Sequence, residues 1–259
     1  MLSLAISPCP NDTFIFAAMA ASGRYRVVLD DVEALNQGAE AGAFDIVKIS
    51  VAAYGRIRDR YALLHAGGAA GFGVGPLVVA ASPRVPGGRI AIPGERTTAA
   101  LLLRLLGDFD TVPMRFDRIE DAVLRGDVDC GVIIHEGRFT YAAKGLTKLA
   151  DLGEVWEARM ASPLPLGVIA IRRALGAETA RRVDEEIRAS LRASWAHPES
   201  AAPFVRAHAQ EMAPDVIQQH IDLYVNDYTM NLDEAAVEKL VAIGEVAGLY
   251  PASGRPIFA

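Results

Sequence analysis

Two cysteines in 259 residues, Cys9 and Cys130, are too few for a disulfide framework or a four-cysteine zinc site. They read as reduced thiols of an intracellular protein. Clustered positive charge is missing too. Lys and Arg number 26 against 32 Asp and Glu, the net charge is −6, and no basic block occurs. Phosphate neutralisation needs such clusters, so nucleic acid is excluded as a partner. No hydrophobic run of membrane length is uninterrupted. The stretch from Tyr61 to Pro83 lacks Asp, Glu, Lys and Arg, but it contains five glycines and Pro76 before its last apolar run. From Met1 to Gly23 the chain is apolar, yet no cation precedes the apolar part and Pro8-Cys9-Pro10-Asn11-Asp12 breaks it, unlike a secretion signal. The expectation is a soluble, cytoplasmic chain with no membrane partner. The glycine-rich loop Gly67–Gly75 has no phosphate-loop lysine, so no nucleotide cradle is expected.

What is present is an alternation of short apolar runs with amphipathic stretches, on a composition that is 51% hydrophobic and 22% charged. Strands are expected at Leu2–Ile6, Arg26–Leu29, Phe44–Ile49 and Leu77–Ala80, and helices over Phe14–Ala21, Val32–Gly42 and from Ser50 to about Arg60. A linker-like segment, Pro83–Gly88, precedes a second unit. Its strands are Arg89–Ile92, Met114–Phe116 and Cys130–Ile134, and its helices Thr98–Leu106 and Ile119–Arg125. Residues 151–164 read as irregular around Pro163 and Pro165, followed by a strand at Gly167–Ile171. The last third is helical. Val183, Ile187, Leu191 and Trp195 mark one apolar face, and Val216, Ile217, Ile221, Tyr224 and Val225 another. Asn231 with Glu234 resembles a capping box. The fold class is α/β with mostly parallel sheets. Two units joined by two crossings give two lobes: residues 1–84 with 165–259, and an inserted 85–164. This is the chain path of the type-II periplasmic-binding fold, with a ligand cleft between the lobes, and the crossings at 83–88 and 162–166 are candidate hinges.

In open α/β sheets ligands bind beyond the carboxyl ends of strands. Four such ends are polar: Ser7–Thr13, Lys48–Ser50, Pro93–Ala99 and His135–Arg138. Ser50, Thr98 and Asn11 or Asp12 are natural N-caps. Helix starts beside Lys48 suit a carboxylate, giving an anion site. His135 is the only histidine at such a strand end. It reads either as a satisfied structural histidine or as a general base, since imidazole titrates near pH ~6.5. Cys9 as a nucleophile beside His135 is the weaker alternative. His208 and Glu211 share a helix face as metal ligands can, but without a second pair they read as solvated, and no metal or redox cofactor is expected.

Ser7-Pro-Cys-Pro-Asn-Asp-Thr-Phe-Ile-Phe16, Asp31–Asn36, Gly75–Val79 and Gly131-Val-Ile-Ile-His-Glu-Gly-Arg-Phe-Thr-Tyr141 resemble the 1,4-dihydroxy-6-naphthoate synthase family of the futalosine route to menaquinone. His208–Glu211 and Tyr224–Asn226 extend the likeness over nearly the whole chain. The resemblance implies a cytoplasmic carbon–carbon lyase with a periplasmic-binding-like fold. Its small-molecule carboxylate substrate would be cyclic dehypoxanthinyl futalosine. His135 would be the proton acceptor, with Lys48, Ile49, Ser50, Thr98, Ala99, Asn36 and Asp12 at substrate positions. Loss of a proton, breakage of the bond to the sugar-derived fragment and aromatisation would follow. A chorismate dehydratase-like enzyme of the same route and a non-catalytic small-anion-binding protein are the competing readings. Oligomeric state leaves no signal in the sequence.

Overall fold

The computed structural model describes residues 1–82, 88–209 and 213–259. The first unit runs β1 (Leu2–Ile6), α1 (Pro10–Ala21), β2 (Tyr25–Leu29), α2 (Val32–Ala41), β3 (Ile46–Ser50), a 3₁₀ turn (Val51–Arg56), β4 (Tyr61–Leu63) and β5 (Ala69–Gly71). The second runs β6 (Leu77–Ala80), β7 (Ile90–Ile92), α3 (Thr98–Arg104), β8 (Thr111–Pro113), α4 (Ile119–Arg125), β9 (Cys130–Ile133), the helical turn α5 (Gly137–Thr140), β10 (Thr147–Asp151) and α6 (Leu152–Met160). The chain returns through β11 (Leu164–Arg172) to α7 (Gly176–Ala196), α8 (Pro198–His208), α9 (Pro214–Tyr224), the short α10 (Asp227–Met230) and α11 (Glu234–Val246).

The first sheet has the order β2-β1-β3-β11-β4, with β5 also on β11. The second has the order β10-β6-β9-β7-β8. Pairing is parallel within β2-β1-β3 and β8-β7-β9. It is antiparallel wherever β6, β10 or β11 takes part. The sheets are therefore more evenly mixed than the alternation of strands and helices predicts, because strands beside the crossings return in the opposite direction. Strand β6, assigned from sequence to the first unit, pairs with β9 and β10 in the second sheet. The sheet-to-sheet crossing thus lies at residues 72–76, ahead of the expected one, of which residues 83–87 fall outside the described residues.

Both faces of the first sheet are covered. Leu4 and Ile6 pack with α1 and α7, while Ala5, between them, packs in the core on the other face with α2 and α11. Burial on both sides makes these strands nearly continuous apolar runs, which is why they are legible in the sequence. Helix α2 begins where Asp31 accepts from the amides of Glu33 and Ala34, and ends at left-handed Gly42. Five expectations change. The strand expected at Met114–Phe116 lies at Thr111–Pro113, and the helix expected from Ser50 to about Arg60 is the 3₁₀ turn Val51–Arg56. The segment 152–160 is helical, because Asp151 caps α6 through the amides of Gly153 and Glu154. The last helix is capped by Asp233, and Asn231 closes α10 instead. Trp195 is 41% exposed. Steps of four residues advance about 40° around a helix of 3.6 residues per turn, so the third step leaves the face of Val183.

The crossing at residues 72–76 touches the start of α6 backbone to backbone. A Cβ on Gly75 would lie 2.1 Å from the Gly153 nitrogen, and the Leu152 amide donates to Pro76 O at 2.9 Å. Overpacking of this kind costs roughly 1–3 kcal/mol. Gly75→Ala should therefore lower the melting temperature by about 5 °C. A melting curve superimposable on the wild type would show that the crossing and the start of α6 part freely.

Candidate active site

All four polar strand ends meet in one cleft. Asp12, Lys48, Ile49, Ser50, Thr98, Ala99 and His135 line it; Asn36 stands just behind, bonded to Ser50. The sequence-derived site is thus brought together, but the roles of several members differ from expectation.

Lys48 and Asp12 form a buried ion pair at 2.8 Å, with side chains 7% and 2% exposed. Asp12 also accepts from the Ser7 hydroxyl (2.7 Å), the Ser7 amide (3.2 Å) and Asn11 Nδ2 (3.0 Å). Its carboxylate is fully occupied within the protein, and it lies inside α1, whose cap position is Cys9. Lys48 donates a second bond to Gly67 O at 2.9 Å, leaving one ammonium proton. The cation expected to be a free anion anchor is therefore already neutralised. Ser50 occupies the cap position of the 3₁₀ turn without capping it through its side chain. Its hydroxyl accepts from Asn36 Nδ2 (3.2 Å), and its amide donates to Asn36 Oδ1 (2.9 Å). Thr97, not Thr98, caps α3, through the Ala100 amide. The Thr98 hydroxyl donates to Leu166 O at 2.9 Å, tying α3 to β11. Arg96 reaches across to α2, ion-pairing Glu33 (3.0 Å) and Glu40 (2.6 Å).

His135 follows β9 with φ +57°, a left-handed backbone rare for residues with a side chain. Such strain persists where surrounding structure holds it, and it concentrates at functional sites. The Phe116 ring meets the imidazole edge-on at 5.0 Å. Its Nε2 is buried without a hydrogen-bond partner among the described residues. Burial pushes the imidazole from 6.5 down to about 4; nearby Asp12 opposes the shift and Lys48 adds to it. At neutral pH the ring is therefore uncharged and able to accept a proton. Burial raises the Cys9 thiol well above its ordinary value, which leaves it an inert packing residue.

Sequence reasoning gave no role to Arg138 and did not single out His220. Arg138 donates to Gly75 O (2.6 Å) and to buried Asp151 (2.8 Å), fixing the crossing against α6. His220 lies on the stripe Ile217, His220, Ile221, Tyr224 of α9, where it is buried and lines the cleft. A histidine at i+3 within an apolar stripe is the signal that could have found it. His208 lies at the end of α8, and Glu211 falls outside the described residues.

Both cleft histidines are held neutral by burial, His220 well below its ordinary value. Between pH about 6.5 and about 4 the unfolded chain binds protons that the folded chain refuses, so stability falls as pH falls through that window. The urea midpoint should be lower at pH about 5 than at about 7, above most carboxylate titration. The double variant His135→Asn, His220→Phe should show a shallower slope. Equal slopes would mean that these rings titrate normally.

The two sheets with a cleft between them define a two-lobed α/β protein of the periplasmic-binding type. A crystallised Archaeoglobus fulgidus protein superimposes with a TM-score of 0.91 at 38% identity, over 96% of this chain and 98% of that one. The periplasmic aliphatic sulphonate binding protein of Escherichia coli has a TM-score of 0.65 at 12% identity, over 97% of this chain and 88% of that one, a likeness of fold alone. No helix among the described residues is long and apolar enough to cross a membrane. The chain belongs to the menaquinone biosynthesis family, whose sequence profile matches residues 2–246. It is 48% identical to the 1,4-dihydroxy-6-naphtoate synthase of Thermus thermophilus, over 99% of this chain and 98% of that protein. Against the protein of the same name from Streptomyces coelicolor it is 46% identical, over 98% and 96% respectively.

Proposed function

We propose that this chain is a cytoplasmic carbon–carbon lyase that converts cyclic dehypoxanthinyl futalosine to 1,4-dihydroxy-6-naphthoate, with His135 as the general base. The observation that carries the reading is His135 itself: uncharged, held in a left-handed backbone, with an unpartnered Nε2 in the cleft. The remaining Lys48 proton, the Ser50 hydroxyl and the first-turn amides of α3 at Thr98 and Ala99 hold the aromatic carboxylate; such amides have no carbonyl partner within their helix. His135 removes a substrate proton. That proton comes from a hydroxyl of the sugar-derived fragment: its oxygen becomes a carbonyl as the carbon–carbon bond breaks, the electron pair of that bond passes into the ring system, and aromatisation drives the step. Burial keeps the proton acceptor uncharged until substrate arrives, and the cleft walls orient the breaking bond. Full-length relatives that carry the synthase name support the choice of reaction over simple anion binding.

The test is to incubate the purified chain separately with cyclic dehypoxanthinyl futalosine and with chorismate, and to analyse both mixtures by mass spectrometry. Appearance of 1,4-dihydroxy-6-naphthoate from the first, with chorismate unchanged, is expected. Dehydration of chorismate, or no turnover of either compound, would overturn the reading.

A further inference from the structure

We propose that His220 is a second substrate-contacting imidazole, which takes a hydroxyl group of the sugar-derived fragment. The proposal rests on the reaction assigned above and adds to it the grip on the part of the substrate that leaves. His220 is 1% exposed, and among the described residues neither of its ring nitrogens has a hydrogen-bond partner. Buried polar atoms are nearly always paired, and each one that is not calls for an explanation. Here two such atoms sit on one side chain that lines the cleft. The ring lies 6.2 Å from that of His135, at 29°, and 4.7 Å from the ring of Tyr224. Phe139 approaches it edge-on at 6.3 Å. These rings pack on it without hydrogen-bonding its nitrogens, and the Tyr224 hydroxyl is directed to Val74 O instead.

The chemistry of the missing partner follows from the imidazole. A neutral ring presents one N–H donor and one bare nitrogen acceptor. A carboxylate satisfies the donor only, and its charge repels the lone pair of the other nitrogen. A hydroxyl both donates and accepts, so hydroxyls can satisfy either nitrogen. The substrate carries both kinds of group, and the reaction proposed above gives the carboxylate to the remaining Lys48 proton, the Ser50 hydroxyl and the first amides of α3. With the reacting carbon at His135, the hydroxylated fragment attached to it falls on the neighbouring ring.

The experiment compares His220→Phe and His220→Gln with the wild type. Steady-state kinetics use cyclic dehypoxanthinyl futalosine, and equilibrium titration uses 1,4-dihydroxy-6-naphthoate, which lacks the sugar fragment. For His220→Phe, kcat/KM should fall roughly tenfold, the scale of one lost hydrogen bond. Affinity for the naphthoate should stay within about twofold. His220→Gln, which keeps a donor and an acceptor, should recover part of the loss. Should the Phe variant fail to fold, the Gln variant alone must show a loss of kcat/KM with naphthoate affinity retained. Wild-type kcat/KM in His220→Phe overturns the assignment, as does an equal loss of naphthoate binding, because a packing role would produce it. A wild type that does not turn over the substrate overturns the proposed reaction and this assignment with it; a wild type that does, matched by His220→Phe, overturns the assignment alone.

Discussion

His135→Asn should lower kcat by about 10²–10⁴, the range lost when a general base is removed. Asparagine is the replacement of choice because it tolerates the left-handed backbone that this position requires, at φ +57°. It keeps a polar side chain in the cleft but cannot accept a proton at neutral pH. The fold, read by melting temperature, and the affinity for 1,4-dihydroxy-6-naphthoate should change little, so the loss would belong to the chemical step. In the wild type, the acid limb of kcat/KM should lie nearer pH 4 than 6.5, since it reports the free enzyme's imidazole. Turnover of His135→Asn at the wild-type rate would remove the histidine from the mechanism and leave the fold and family unaffected.

Lys48→Met should be the most damaging single change to stability. It would leave the Asp12 carboxylate, 2% exposed, without the ammonium 2.8 Å away. Removing one partner of a buried ion pair costs roughly 3–5 kcal/mol. For a chain of this size that lowers the melting temperature by on the order of 10 °C or more. Adding Asp12→Asn should restore much of the loss, because the orphaned charge goes with it. A Lys48→Met variant that melts with the wild type would show that Asp12 finds other compensation, and Lys48 would then count only toward ligand binding.

The legible and illegible parts of this molecule divide along physical lines. Strands such as Leu2–Ile6 and Cys130–Ile133 are buried on both faces and stand out as apolar runs. β4 and β5 are three residues each, within a glycine-rich stretch with no alternation to read. The antiparallel return of β11 depends on partners far along the chain, and no local pattern encodes it. Strand ends located the cleft because backbone topology puts them there. What the residues do within it depends on contacts invisible to spacing: Lys48 meets Asp12 from 36 positions away, and His220 joins the cleft from α9. Thr97 and Thr98 illustrate the finer limit. Either can cap a helix, and only the geometry shows that the first caps α3 while the second bonds to Leu166.

The place of β11 in the first sheet has a consequence for how the protein is made. It lies between β3 and β4 in space, yet it leaves the ribosome only after residue 164. At about 5–20 residues per second, β3 waits several seconds with one edge unpaired. The second sheet, by contrast, is drawn entirely from residues 77–151 and has every strand available before β11 emerges. Synthesis therefore favours the inserted lobe folding first while the N-terminal segment is held open. In that interval the bare edge of β3 is the part of the nascent chain most exposed to wrong pairing, and the part a chaperone would have most reason to cover.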